Sequence, residues 1–336
     1  MYLSPGLKFR KLTPEQDILK DKTKSTLKLL ESCTLCPHQC RVNRITGKKG
    51  FCSAPAEPVI SADMPHHGEE PPISGTFGSG TIFFSHCNMK CVYCQNYQIS
   101  QQHDGAPASI EKLADMMISL QKKGCHNINF VSPTIWVPQL ISAVLQAEQK
   151  GLGIPLVYNT GGYDSVSSLK LLEKIIDIYM PDMRYSNDEM AEKYSGVKDY
   201  IRNNRAAVKE MYRQTGDLFL GSNGTVEKGI LIRLLVLPGD AGGVKQTLDF
   251  IREELSPETC LSIMAQYHPE YMAGKYPEIS RRVFRNEYLA VVNYAKKLGL
   301  VNGWTQDYRS LEQEDLFRPD FSKKNVFEYY KKKSER

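Results

Sequence analysis

Three cysteines, Cys87, Cys91 and Cys94, fall within eight residues in "CNMKCVYC". A second set, Cys33, Cys36, Cys40 and Cys52, spans twenty residues of "CTLCPHQCRVNRITGKKGFC". Thiolates are soft ligands that favour zinc, Cu(I) and iron–sulfur clusters. The first set can grip three corners of one metal site, and with no fourth cysteine close by it leaves a coordination position open. For iron, that describes a 4Fe–4S cluster with one iron lacking a protein ligand. For zinc, it describes a catalytic site with water in the fourth position. The second set suits a tetrahedral zinc site or a further 4Fe–4S cluster, and either would stabilise a segment with little apolar core of its own. Cys125 and Cys260 stand alone beside apolar runs and read as buried small hydrophobes.

These thiols need elements to carry them. From Gly80 onward strand-like and helix-like segments alternate six times: "TIFFSH", "HNINFVS", "PLVYNT", "IDIYMPD", "GILIRLLVLPG" and "CLSIMAQY" each precede a helical pattern. Such alternation predicts an α/β fold with a parallel sheet and helices outside it, as a doubly wound sheet or a partial (β/α)6 barrel. Both architectures place functional groups at the carboxyl ends of strands, which is where Cys87 begins. Residues 1–79 read as an N-terminal extension: a Lys-rich helix candidate, "PEQDILKDKTKSTLKLLES", then the four-cysteine segment, then "SADMPHHGEEPPISGTFGSG" as a long connecting loop. Residues 80–300 read as the barrel, and 301–336 as a C-terminal closure with a basic tail.

The chain has 336 residues, 41% of them hydrophobic, enough to bury one large core. Its net charge of +5 is mild and scattered, so a nucleic-acid partner is not suggested. The start lacks a signal-peptide pattern, and no run of about 18 apolar residues offers a membrane span. A cytoplasmic location is expected, and in a reducing compartment clustered cysteines argue for metal chemistry rather than disulfides.

"CNMKCVYC" resembles the CxxxCx(aromatic)C signature of the radical S-adenosylmethionine superfamily, with Tyr93 in the aromatic position. "CTLCPHQCRVNR", "EEPPISGTFGSGTIFF", "CQN", "NTGGYDS", "DIYMPDMRY" and "LVLPG" extend the resemblance to its pyruvate formate-lyase activating-enzyme-like branch. The resemblance implies a partial barrel in which Cys87, Cys91 and Cys94 hold three irons of a 4Fe–4S cluster and S-adenosylmethionine chelates the fourth. Reductive cleavage then yields a 5′-deoxyadenosyl radical that takes hydrogen from a substrate. It also implies an electron donor such as flavodoxin or ferredoxin. The substrate readings are a glycine of a partner protein, or a peptide or small metabolite. A non-catalytic zinc or iron–sulfur binding or electron-transfer protein is the alternative of another class.

Six residues are candidate cofactor contacts. Tyr93 sits between two ligands, where a ring can flank the adenine or pack on its own loop. Ser132 and Thr134 in "VSPTIW" offer hydroxyls where the superfamily often has a GGE-like stretch, which is absent here. Asn159 opens "NTGGYDS" after the third strand. Asp182, with Arg184 in "PDMRY", suits either a carboxylate contact or a rim ion pair. Arg233, inside the fifth strand, needs a partner or a wet lumen. Gln266 and His268 follow the sixth strand and could face substrate.

Overall fold

The computed structural model describes Thr23 and residues 25–308, 319–323 and 326–327. Most of the Lys-rich helix candidate and the basic tail lie outside the described residues; the end of the former, Lys28–Leu30, is a 3-10 turn.

Ten strands form the sheet: β1 Val59–His66, β2 Ser79–Phe84, β3 Ala106–Pro107, β4 Ile128–Val131, β5 Leu156–Thr160, β6 Ile178–Pro181, β7 Phe219–Leu220, β8 Val226–Leu235, β9 Cys260–Met264 and β10 Gly303–Thr305. Their order is β10-β9-β8-β6-β5-β4-β2-β1-β3, with β7 paired to β8. The six predicted strands, β2, β4, β5, β6, β8 and β9, are all parallel, and β10 extends them on one side. The helices are α1 Pro71–Ser74, α2 Tyr97–Ser100, α3 Ile110–Lys122, α4 Val137–Gln149, α5 Val166–Leu171, α6 Asp188–Ser195, α7 Tyr200–Thr215, α8 Val244–Glu254 and α9 Arg285–Lys297. The architecture is an α/β partial barrel of mainly parallel strands behind a cysteine-rich N-terminal region.

Side-chain alternation divides each strand between two environments. Ile128 and Phe130, Leu156 and Tyr158, Ile230, Ile232 and Leu234, and Leu261 and Ile263 pack outward in the main core, together with Leu113, Met117 and Leu120 of α3. The inward face is apolar at its amino end. There Val157, Ile178, Leu231 and Cys260 close around Ile73 of α1 and plug the barrel. At the carboxyl end the same face presents Asn159, Asp182, Arg233 and Ser262 to a cavity. The lumen is thus plugged below and polar above.

The expected connecting loop is not all loop. Its first half is β1, antiparallel to β2 in the same sheet, and its second half holds α1. Polar residues and Pro65 hid the strand. Beyond β1 the sheet continues only through the two residues of β3, so proline is tolerated there. Because β1 pairs with β2, the sheet begins at Val59 rather than at Gly80.

Candidate active site

A cavity of about 440 Å³ fills the polar end of the lumen. That is within the range of small-molecule sites. Cys87, Cys91 and Cys94 line it, with Tyr93, Ser132, Asn159, Asp182, Arg184, Arg233, Gln266 and His268.

The cysteine loop leaves β2 through His86, which takes the left-handed conformation at φ +65°. It is then held by the end of α6. That helix stops at Gly196, φ +65°, and the last carbonyls of a helix have no partner within it. Ser195 O accepts from Lys90 N at 2.8 Å and Tyr194 O from Val92 N at 2.8 Å. Asn88 Nδ2 donates to Tyr163 O at 2.5 Å, and Gln101 Nε2 to Met89 O at 3.1 Å. Gly161 lets the β5–α5 turn come close, since a Cβ there would meet Met89 Sδ at 2.8 Å.

Each sulfur has a polar neighbour. Met89 N–H points at Cys87 Sγ (3.4 Å), Ser195 Oγ donates to Cys91 Sγ (3.0 Å), and Ser100 Oγ lies 3.2 Å from Cys94 Sγ. Burial, then the neighbouring Cys91, push the Cys87 thiol up to about 12 and that of Cys94 up to about 11. Unless a metal draws them down these two stay protonated at neutral pH, so ligation must release protons. Arg184 pulls both the other way and so stands within electrostatic reach of the set. Its Nη2 donates to Asp182 Oδ2 at 2.6 Å, while its Nε is buried with no protein partner. Three thiols on one cavity wall, a polar neighbour to each and a cation with a spare N–H fit a cluster bound by a carboxylate-bearing ligand. Among the described residues no three His, Cys, Asp or Glu side chains close to the spacing of one metal ion. A four-iron cubane spreads its ligands over a larger body than one ion does.

The other predicted residues divide. Tyr93 lines the cavity but is only 3% exposed, its hydroxyl 2.5 Å from that of Tyr185 and its ring edge-on to Tyr267 at 5.5 Å, so it packs against residues that follow β6 and β9 rather than against its own loop. Tyr185 reaches Ser195 Oγ at 2.7 Å, which closes a chain from Tyr93 back to the Cys91 sulfur. Ser132, at φ +60°, faces the cavity. Thr134, expected there too, is buried in a knot: it donates to Asp164 Oδ1 at 2.8 Å, beside Thr160 and Tyr158, which bind the same carboxyl. Burial pushes Asp164 up against those hydrogen bonds. Thr134 is a structural hydroxyl because Asp164, unremarked in "NTGGYDS", captures it.

Arg233 does face the lumen, but as the centre of an ion triad. Nε donates to Glu70 Oε1 at 2.9 Å and Nη2 to Glu70 Oε2 at 2.5 Å, and Nη2 also meets Glu69. Glu69 and Glu70 were missed because "EEPP" read as loop. A charge inside a strand was the available signal that carboxylates had to come from elsewhere. Burial pushes Glu69 up, yet Arg233 and then His66 draw it below the usual carboxylate range. Gln266 pairs with Gln306 at 2.6 Å and His268 with Glu270 at 3.0 Å.

The second cysteine set lies behind this loop. Cys33, Cys40 and Cys52 each act electrostatically on Cys36, whose thiol burial pushes up first and most. No residue between 33 and 58 is among those that line the cavity.

No helix among the described residues is long and apolar enough to cross a membrane. The sequence profile of the Radical SAM superfamily matches residues 81–251, from β2 into α8. The uncharacterized protein MJ0674 of Methanocaldococcus jannaschii is 31% identical over 297 residues, covering 84% of this chain and 80% of that protein. Among solved structures, methylornithine synthase (PylB) is similar at TM-score 0.47 and 12% identity, over 95% of this chain and 84% of the other. Streptococcus suis SuiB bound to precursor peptide SuiA is similar at TM-score 0.47 and 14% identity, over 67% of this chain and 48% of the other. This chain therefore spans about half the length of SuiB. Half the sequence under the profile, on strands that hang three convergent thiols over a lumen, leaves one assignment: the chain belongs to the Radical SAM superfamily, whose cofactors are a 4Fe–4S cluster and S-adenosylmethionine.

Proposed function

We propose that this protein is a radical S-adenosylmethionine enzyme that abstracts hydrogen from a glycine of a partner protein, as the activating-enzyme-like branch does. Cys87, Cys91 and Cys94, which line the cavity, would hold three irons of the cluster. When bound, the cluster supplies the electron for reductive cleavage of S-adenosylmethionine and so the 5′-deoxyadenosyl radical. Arg184, fixed by Asp182, would offer its spare Nε–H to the carboxylate of S-adenosylmethionine. Ser132 and Asn159 line the same cavity from neighbouring strand ends and would meet the same ligand. The closed floor around Ile73 keeps water and stray hydrogen donors from the far side. Residues 80–300 carry the radical chemistry. Residues 1–79 carry the second cysteine set and Ile73 of the cavity floor, and Trp304, Gln306 and Phe327 from the C-terminal closure line the cavity. A flavodoxin- or ferredoxin-type protein supplies electrons in the cytoplasm.

The observation that carries this reading is the convergence of three thiols, each with its own polar neighbour, on a cavity that also holds Arg184. Anaerobic reconstitution tests it. The reduced protein should show a cluster signal that changes on adding S-adenosylmethionine, and 5′-deoxyadenosine should form. Stoichiometric zinc at these cysteines would end the case. A glycyl radical signal on a partner separates the glycine reading from its rival.

That rival, modification of a peptide or small metabolite, draws on one feature. The cavity sets two carboxylates, Glu69 and Glu70, against one guanidinium, which suits a substrate group bearing positive charge. Stimulation of 5′-deoxyadenosine release by amine-bearing compounds, with no glycyl radical, would favour it.

A further inference from the structure

Thr34 to Ser53 contains no helix or strand, yet its backbone is specifically set. Gln39, Arg41 and Ser53, which flank Cys40 and Cys52, are left-handed at φ +43°, +52° and +56°. Non-glycine residues take that conformation at a cost and persist where the surroundings over-determine them. Gly50 packs so tightly on Cys40 that a Cβ would meet Cys40 Sγ at 2.9 Å, and Phe51 N–H points at that sulfur from 3.4 Å. A backbone amide on a sulfur and a bare glycine against it form a cradle for a thiolate that belongs to a larger group.

This segment is fastened to the cysteine loop by two imidazoles. His86, the residue before Cys87, lies 3.1 Å through Nδ1 from Cys52 O. His38, two residues after Cys36, lies 2.9 Å through Nε2 from Asn88 O, the residue after Cys87. Carbonyl oxygens only accept, so each ring nitrogen carries the hydrogen and donates. Phe51 is stacked on His38 at 3.8 Å, with Lys90 4.4 Å above its ring. From Cys52 to Cys87 the route is therefore covalent except for one hydrogen bond. Electron tunnelling falls steeply with distance and runs better through bonds and hydrogen bonds than across gaps.

We propose that Cys33, Cys36, Cys40 and Cys52 hold a second 4Fe–4S cluster that relays electrons to the first through Cys52, His86 and Cys87. A one-electron protein donor loses an electron to the outer cluster, which passes it on and returns to its starting state, and the lumen cluster is reduced by one electron. No proton moves. Electrons thus enter from behind the barrel, while substrate occupies the lumen. The relay rests on the assignment of Cys87, Cys91 and Cys94 to the lumen cluster.

Three anaerobically reconstituted proteins test it: the full chain, a C36S/C52S variant and a C87A/C91A/C94A variant. The full chain should bind about eight irons and each variant about four. Photoreduced flavodoxin should reduce the outer cluster first, followed by the S-adenosylmethionine-sensitive signal in rapid freeze-quench spectra. In C36S/C52S that signal should form far more slowly with flavodoxin yet normally with dithionite, a small reductant able to enter the cavity. In the full chain, His86→Phe keeps the stack on His103 (4.1 Å) but loses the donor, and should slow inter-cluster transfer by roughly an order of magnitude. His86→Asn, which places an amide N–H near Nδ1 and tolerates positive φ, should restore the rate. Zinc in the outer site, or C36S/C52S reduced by flavodoxin as fast as the full chain, overturns the relay and leaves the lumen assignment standing. Persistence of the S-adenosylmethionine-sensitive signal in C87A/C91A/C94A overturns the lumen assignment instead.

Discussion

The two cysteine sets have similar chemistry and opposite settings. The lumen set hangs from the end of β2, is gripped by the carbonyls of α6 and opens on a cavity. The outer set has no regular structure, is pinned by His86 and His38, and contributes nothing to the cavity wall. A thiolate site can act on a small molecule only where that molecule can reach it. Position relative to the lumen, more than ligand count, therefore separates the two sets: substrate chemistry is open to the first, and conduction is what the proposed relay asks of the second.

The comparison is broken most completely at a ligand. Replacing Cys87, Cys91 or Cys94 by alanine should abolish 5′-deoxyadenosine release while leaving the iron of the outer set in place, as read by iron analysis and chromatography. Loss of iron from both sets would show that they fold as one unit.

The next effect is on stability. Arg233→Met leaves Glu69 and Glu70 buried without a cation and should cost about 3–5 kcal/mol in denaturant titrations at neutral pH. The pH dependence should also change sign. In the parent, Glu69 sits below the usual carboxylate range, so its contribution is present above that range and is lost as pH falls through the lowered value. In the variant burial is left to push Glu69 toward its protonated form, and acidification should stabilise it. An unchanged acid slope would sink the argument.

Smaller again is the contact to S-adenosylmethionine. Arg184→Gln removes a charge-assisted bond and should weaken binding by about 10- to 100-fold with iron content unchanged, measured by spectroscopic titration. Smallest is Ser195→Ala, which strips the hydrogen bond from Cys91 Sγ. Such a bond stabilises the more negative, reduced cluster, so its loss should lower the potential of the lumen cluster by on the order of tens of millivolts. The outer cluster should keep its potential, since Ser195 touches only the lumen set.

Much of this was legible in the sequence. The six strands were, because apolar runs ending in polar residues and glycine carry their own period, and the lumen cysteines were, because their spacing is local. Contacts that close over long separations were not. Thr134 reads as an exposed hydroxyl until Asp164, thirty residues on, takes it. Arg233 announces a missing counter-charge but not Glu69 and Glu70. Pro65 and its polar neighbours hide a strand that exists because β2 offers it a partner. Ser195 comes to Cys91 only through the fold of α6.

The ion triad in the cavity wall also orders the birth of the molecule. Arg233 emerges from the ribosome 163 residues after Glu70. At usual synthesis speeds that is a delay of about 8–33 s. Through that interval the nascent amino-terminal half holds two acidic groups whose counterion has not yet been made. The lumen floor therefore matures late, and fragments that stop short of β8 should fail to assemble it.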